Sequence, residues 1–137
     1  MQKRKYLVIL VLLFLFAPIV RTQYAQAQHV TRAGQIKLFY DQYMECIETG
    51  NSNKERDLLN SFLTPEMHKK RGRLVDATGS DPLLRAQDVL KHNRQSLTCR
   101  HLEGNWFEVA YRTFDWDAKD TVTIRIPVRA EEDKKGM

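Results

Sequence analysis

The chain has 137 residues, with 22 Lys and Arg against 17 Asp and Glu, a formal charge of +5 and a pI of about 9.3. Four of the basic residues (Lys3, Arg4, Lys5, Arg21) fall within the first 27 positions, which hold no acidic residue, so the rest carries 18 against 17. That near-neutral remainder lacks the basic balance that nucleic-acid or anionic-membrane binding draws on. Its 110 residues suit one domain with a modest core rather than two.

The chain opens with Lys3, Arg4 and Lys5, then twelve unbroken apolar residues from Tyr6 to Ala17, then Pro18 and an Ala25-Gln26-Ala27 step. A charged start, an apolar run and a small-x-small end are the three parts of a secretory signal peptide. Twelve residues span about 18 Å as a helix, short of the roughly 30 Å hydrocarbon core of a bilayer. The expectation is a signal peptide over 1–27 cleaved after Ala27, no stable membrane anchor afterwards, and a periplasmic or secreted single domain over 28–137.

In the remainder, Ile36, Phe39, Tyr40, Tyr43 and Ile47 recur at three- and four-residue spacing, predicting an amphipathic helix over 33–49 that Gly50 stops. Asn51-Ser52-Asn53 reads as a turn able to cap a second helix over 54–63, burying Leu58, Leu59, Phe62 and Leu63. Thr64-Pro65-Glu66 places an N-cap and a proline at the first position of a third helix, 65 to about 75. Residues 76–81 read as loop, and 82–93 as a short helix or an irregular arm.

From Ser96 the period changes to two. Strands are predicted over 97–102, 106–114 and 121–129, joined by turns at 103–105 and 115–120. Phe107, Val109 and Tyr111 share one face of the second strand, with Glu108 and Arg112 on the other. The third puts Val122, Ile124, Ile126 and Val128 inward, and Thr123, Arg125, Pro127 and Arg129 outward. Pro127 cannot donate to a ladder, so that end of the strand lies at an edge or loses a partner. Helices first and an antiparallel meander afterwards define an α+β class, with the N-terminal helices packed on a curved antiparallel sheet. The tail over 130–137 reads as disordered, or as a hairpin turn whose final strand is missing.

The chemistry-bearing side chains form no diagnostic constellation. His29, His68, His92 and His101 do not pair with one another or with a cysteine at ligand spacing, so no metal site is expected. The run His68-Lys69-Lys70-Arg71 with Arg73 reads as a solvated basic helix face, with an acidic protein partner as the functional option. Nucleophile elbow, P-loop and HExxH patterns are all lacking, so the sequence names no catalytic residue and implies no cofactor. Cys46 and Cys99 read equally as a disulfide closing about fifty residues, worth about 2–4 kcal/mol, or as two free thiols. The string Asp81-Pro82-Leu83-Leu84-Arg85-Ala86-Gln87-Asp88 reads as a staple: Asp81 bonds backbone just ahead, Pro82 fixes a corner, and Gln87 and Asp88 satisfy an incoming loop. The competing reading makes it a ligand site.

That string resembles the signature of a bacterial domain-of-unknown-function family of short exported or lipoprotein-type envelope proteins, often with a nuclear-transport-factor-like or cystatin-like α+β fold. The similarity extends to Phe39-Tyr40-x-x-Tyr43, Leu63-Thr64-Pro65-Glu66 and Trp106-Phe107-x-Val109, and so across most of 36–129. Members of such a family continue into one more strand, and no established activity comes with the resemblance. The expected function is an envelope binding module for another protein, for example immunity-type or scaffold. Asp81, Pro82, Gln87, Asp88, Trp106 and Arg112 are its candidate binding residues, in a chain whose exposed edge strand and Trp106, Trp116, Tyr111, Arg112 and Arg125 suit an interface. The alternative is a small-ligand pocket, or an enzyme, in the cone between helix and sheet.

Overall fold

Helix α1 spans Arg32–Thr49; of its predicted apolar stripe Phe39, Tyr40 and Tyr43 are buried, Ile36 and Ile47 half-buried, and Met44 and Cys46 are buried beside them. Gly50 ends it in the left-handed region at φ 68°. The Asn51 N–H then reaches back to the Cys46 carbonyl at 2.9 Å, the closing bond of a Schellman stop. The computed structural model describes residues 31–131. The predicted signal peptide and residues 132–137 of the predicted tail lie outside the described residues.

Helix α2, Ser52–Phe62, starts two residues earlier than expected because Asn51 alone caps it, its side chain accepting from the Lys54 N–H at 3.1 Å. Of its four expected core residues only Leu59 is buried. Leu58 and Leu63 are half-buried and Phe62 is exposed, although its ring lies 5.1 Å from that of Phe39. The helix meets α1 along one edge, so a four-residue apolar face is wider than the contact it makes. Helix α3, Pro65–Thr78, has the predicted Thr64 cap and initial proline. It runs three residues past the expected end because its stop is Gly79, at φ 66°.

Residues 82–93 are a turn followed by a short helix. Asp81 and Ala86 form an isolated antiparallel bridge, and the Arg85 N–H donates to the Asp81 carbonyl at 2.7 Å. Helix α4 is only Lys91–Gln95. The strands lie within a residue or so of their predicted bounds: β1 Thr98–His101, β2 Trp106–Asp115 and β3 Asp120–Arg129. They form an antiparallel sheet in the order β1-β2-β3, so the molecule is α+β, with helices on one face of a three-stranded open sheet.

The register assigns the faces. Thr98 lies opposite Ala110, Glu108 opposite Pro127 and Tyr111 opposite Ile124. Phe107, Val109, Tyr111 and Ile126 therefore point toward the helices and are buried. Val122, Ile124 and Val128 share that inner side but are only half-buried, because β3 is an edge strand beyond the reach of α1. The Ala130 N–H donates to the Asn105 carbonyl at 2.9 Å. By the antiparallel alternation, even-numbered β3 residues then face β2 and odd-numbered ones face the open edge. Pro127 is odd-numbered, so the ring that cannot donate sits where no ladder bond is needed.

The core joins Phe39, Tyr40, Tyr43 and Met44 of α1 to Leu59, to Leu83, Leu84 and Val89 of the connection, and to the inner sheet face. Tyr43, Met44 and Val109 are wholly inaccessible. The rings of Phe39 and Tyr43 stack at 5.7 Å, and the Tyr111 hydroxyl donates to the Leu84 carbonyl at 2.6 Å. Burying each large apolar side chain contributes roughly 1.5–3 kcal/mol before chain entropy is set against it. Cys46 is buried, Cys99 half-buried, and both are free thiols, so the crosslinked alternative is not the one adopted.

Candidate protein-interaction surface

Asp81, the residue on which the predicted ligand string turns, belongs to an internal latch. One carboxylate oxygen, Oδ1, accepts from the Leu83 N–H at 2.8 Å, holding the turn. The other accepts from the Tyr43 hydroxyl and from Arg71 Nη2 at 2.9 Å. Arg71 also donates to the Tyr43 hydroxyl at 2.6 Å and to Glu55 Oε1 at 3.0 Å. One guanidinium thus joins α1, α2, α3 and the 81–86 turn. Burial, with the hydrogen bond to Asp81 and its charge, raises the Tyr43 pKa far above that of a free phenol. It remains a neutral donor at ordinary pH.

Of the rest of the string, Leu83 and Leu84 are in the core and the polar residues are at the surface. Pro82 is half-buried at the corner, while Gln87 and Asp88 are exposed. No hydrogen bond of their side chains is found among the described residues, so the expected satisfaction of the incoming loop is not their work. Asn93 and Ser96 do it. The Asn93 amide donates to the Arg112 carbonyl at 2.7 Å, and Ser96 Oγ accepts from the Arg112 N–H at 2.8 Å. Tyr111, named with the interface-type residues, is buried.

Trp106 and Arg112 lie on the other side of the sheet, both on even-numbered positions of β2, whose side chains face away from the helices. Six residues of strand separate them, about 20 Å. That outer face is the feature that the candidate residues share with the rest of the sheet. At one end Trp106 and Leu102 are 43 % and 42 % exposed. With Glu103 and Pro127 they line an open depression. At the other end Phe114 is exposed and its ring meets that of Trp116 edge-on at 4.8 Å. Trp116, on the β2–β3 turn, is 82 % exposed.

Between the aromatic ends run arginines. Glu108, in the central strand, accepts on Oε1 from Arg100 Nε of β1 at 2.9 Å and from Arg125 Nη1 of β3 at 2.8 Å. The hydrogen bond from Arg100, and then that from Arg125, holds the Glu108 pKa below the ordinary carboxylate value. At the β3 edge, Arg85 Nη1 of the helix-side connection donates to the Arg125 carbonyl at 3.1 Å. An arginine and a proline on the outer strand discourage edge-to-edge pairing. The sequence already placed Glu108, Arg112, Arg125, Pro127 and Arg129 outward. It did not reveal that Glu108 gathers Arg100 and Arg125, because that needs the cross-strand register.

Among the described residues no group of His, Cys, Asp and Glu could hold a metal ion, and no helix is long and apolar enough to cross a membrane. The class of protein is thus an α+β domain with helices on one side of an antiparallel sheet and an open, arginine- and tryptophan-bearing face on the other. No family model and no curated protein matches the chain. It is similar to a bacterial protein of unknown function from Bacteroides thetaiotaomicron VPI-5482, seen in a crystal structure. The two are 28% identical with a TM-score of 0.66, the match covering 84% of this chain and 92% of that one.

Proposed function

We propose that this is an exported envelope protein that works as a recognition module for another protein, in an immunity-type or scaffold role, through the outer face of its sheet. The observation that carries the reading is the gathering of exposed Trp106, Leu102, Phe114 and Trp116 at the two ends of a sheet face that also bears arginines. Tryptophan and arginine are enriched in protein interfaces and dominate their energetics. Export rests on the charged, apolar and small-x-small order of the first 27 residues.

The small-ligand alternative places a cavity between α1 and the sheet. That space is filled by Phe39, Tyr43, Met44, Val109 and Tyr111, each 5 % exposed or less. A filled interior supports recognition at the surface.

The test is photo-crosslinking in cells. A photoreactive phenylalanine at position 106 should capture one protein in the envelope fraction, whereas the same group at Lys69 on α3 should not. Equal capture from both positions, or none from 106, would count against the outer face as the recognition site.

A further inference from the structure

Four guanidiniums occupy the outer face, those of Arg100, Arg112, Arg125 and Arg129. Facing them are Glu108 within the array and Glu103 at its rim. Glu108 engages Arg100 and Arg125 through the same oxygen. Two cations are thereby held side by side with a single negative charge between them, and most of their N–H donors stay unengaged. Their side chains are 66% and 60% exposed. Arg112 and Arg129 enter no ion pair among the described residues. The carboxylates of the 115–120 turn lie beyond Phe114 and mark where the positive stripe ends.

From this arrangement we infer that the partner is a protein segment carrying at least two carboxylates beside a bulky apolar side chain. Its carboxylates take the outward forks of the arginines, and the apolar residue sits in the depression of Leu102, Trp106 and Pro127. The guanidinium fork matches a carboxylate with two parallel hydrogen bonds. Glu108 makes the docking more favourable by pre-ordering two of the forks, so less side-chain freedom is lost on binding. A nucleic acid would also be drawn to arginine. The near balance of 18 basic and 17 acidic residues beyond position 27, and the apolar groups at both ends of the stripe, favour a protein.

This inference rests on the proposed recognition role and deepens it. Its probe is a displayed library of random twelve-residue peptides, selected on the full-length chain. Recovered binders should be rich in Asp and Glu around a Leu, Phe or Trp. Their affinity should fall about tenfold or more in R112E/R129E, which leaves the Glu108 cluster intact, and in R100Q/R125Q. K69E/K70E on α3 should leave affinity unchanged, and melting curves confirm that each variant is folded. Selection repeated on R112E/R129E should lose the acidic preference. Binders without acidic residues, or binding indifferent to the sheet arginines, would overturn the inference, as would displacement by a single-stranded oligonucleotide at lower concentration than by the peptides. Failure of the acidic preference alone leaves the crosslinked partner of position 106 standing. Absence of any crosslinked partner removes the recognition role itself.

Discussion

Asn93 is 2 % exposed, and it extends a sheet without belonging to a strand. The β1–β2 register pairs Thr98 with Ala110, so the next outward pair would be Ser96 with Arg112. The β1 backbone has already turned away there, and the Asn93 and Ser96 side chains take over both of Arg112's backbone groups. Asn93 Oδ1 also accepts from the Leu90 N–H at 2.7 Å, starting α4. Replacing Asn93 with Ala should destabilise the protein by about 2 kcal/mol, the cost of leaving such groups unpaired, lowering the denaturant midpoint at constant slope. The buried tyrosines make a second prediction. Burial drives the Tyr111 pKa up to about 12 from the ordinary tyrosine value of about 10, and raises Tyr40 and Tyr43 further still. A folded pKa above the unfolded one adds stability below the unfolded pKa and loses it as pH rises through the folded value. Stability should therefore be level below pH 10 on account of these groups, then fall above it by up to about 1.4 kcal/mol per pH unit for each tyrosine. Tyrosinate absorbance should appear together with unfolding; early tyrosinate signal in the folded state would contradict the assignment. At the same scale, two thiols should titrate in denaturant without reductant, and Cys46, whose thiol burial pushes up, should react only after unfolding.

Among the elements, α3 is the least securely held. None of its residues is buried, so its attachment depends on Arg71 more than on an apolar seam. Arg71→Ala would strand the Asp81 and Glu55 carboxylates against Tyr43, a loss of about 3 kcal/mol for a largely desolvated pair. Hydrogen exchange should speed up across α3 and the 79–86 turn and leave β2 slow. Uniform acceleration would show that Arg71 supports the whole fold rather than this helix. Gly79 is the second control point, because a residue with a Cβ at φ 66° is strained even with open space around it. Gly79→Ala should cost about 1 kcal/mol. The extents of α3 and α2 were legible as far as their caps were: Thr64-Pro65 marked one start, and Asn51 marked the other once its neighbours in the turn were discounted. The end of α3 lay at a glycine already visible in the sequence, but the polar run before it concealed that the helix continued.

At the scale of the molecule, the sheet divides the chain into a packed side and an exposed side. Trp106→Ala should leave the melting temperature nearly unchanged, since the residue is 43 % exposed, while weakening capture of the partner proposed for this face. Tyr111→Ala should unfold the protein first, by opening a core cavity and leaving the Leu84 carbonyl unpaired. The contrast between two aromatic residues five positions apart measures how completely the two faces have separated their tasks. Their opposite parity in β2 was readable from the alternation of side chains, and so was much of the outward arginine set. The candidate site was legible only in part. Trp106 and Arg112 stay on the exposed face, whereas Asp81 proved to be an internal anchor and Gln87 and Asp88 stand apart.

The local patterns of this chain determined its α+β order, because helix and strand periods, caps and turn residues act over a few neighbouring positions. They also determined which β2 and β3 side chains share a face, since a strand alternates whatever surrounds it. Only the tertiary structure decided that Arg71 reaches Tyr43, Glu55 and Asp81, that Asn93 completes the sheet, and that Glu108 holds Arg100 and Arg125 together. Each of these contacts joins residues from separate elements, so its partners are chosen by how helices and strands pack and by register, quantities that no short stretch of sequence contains.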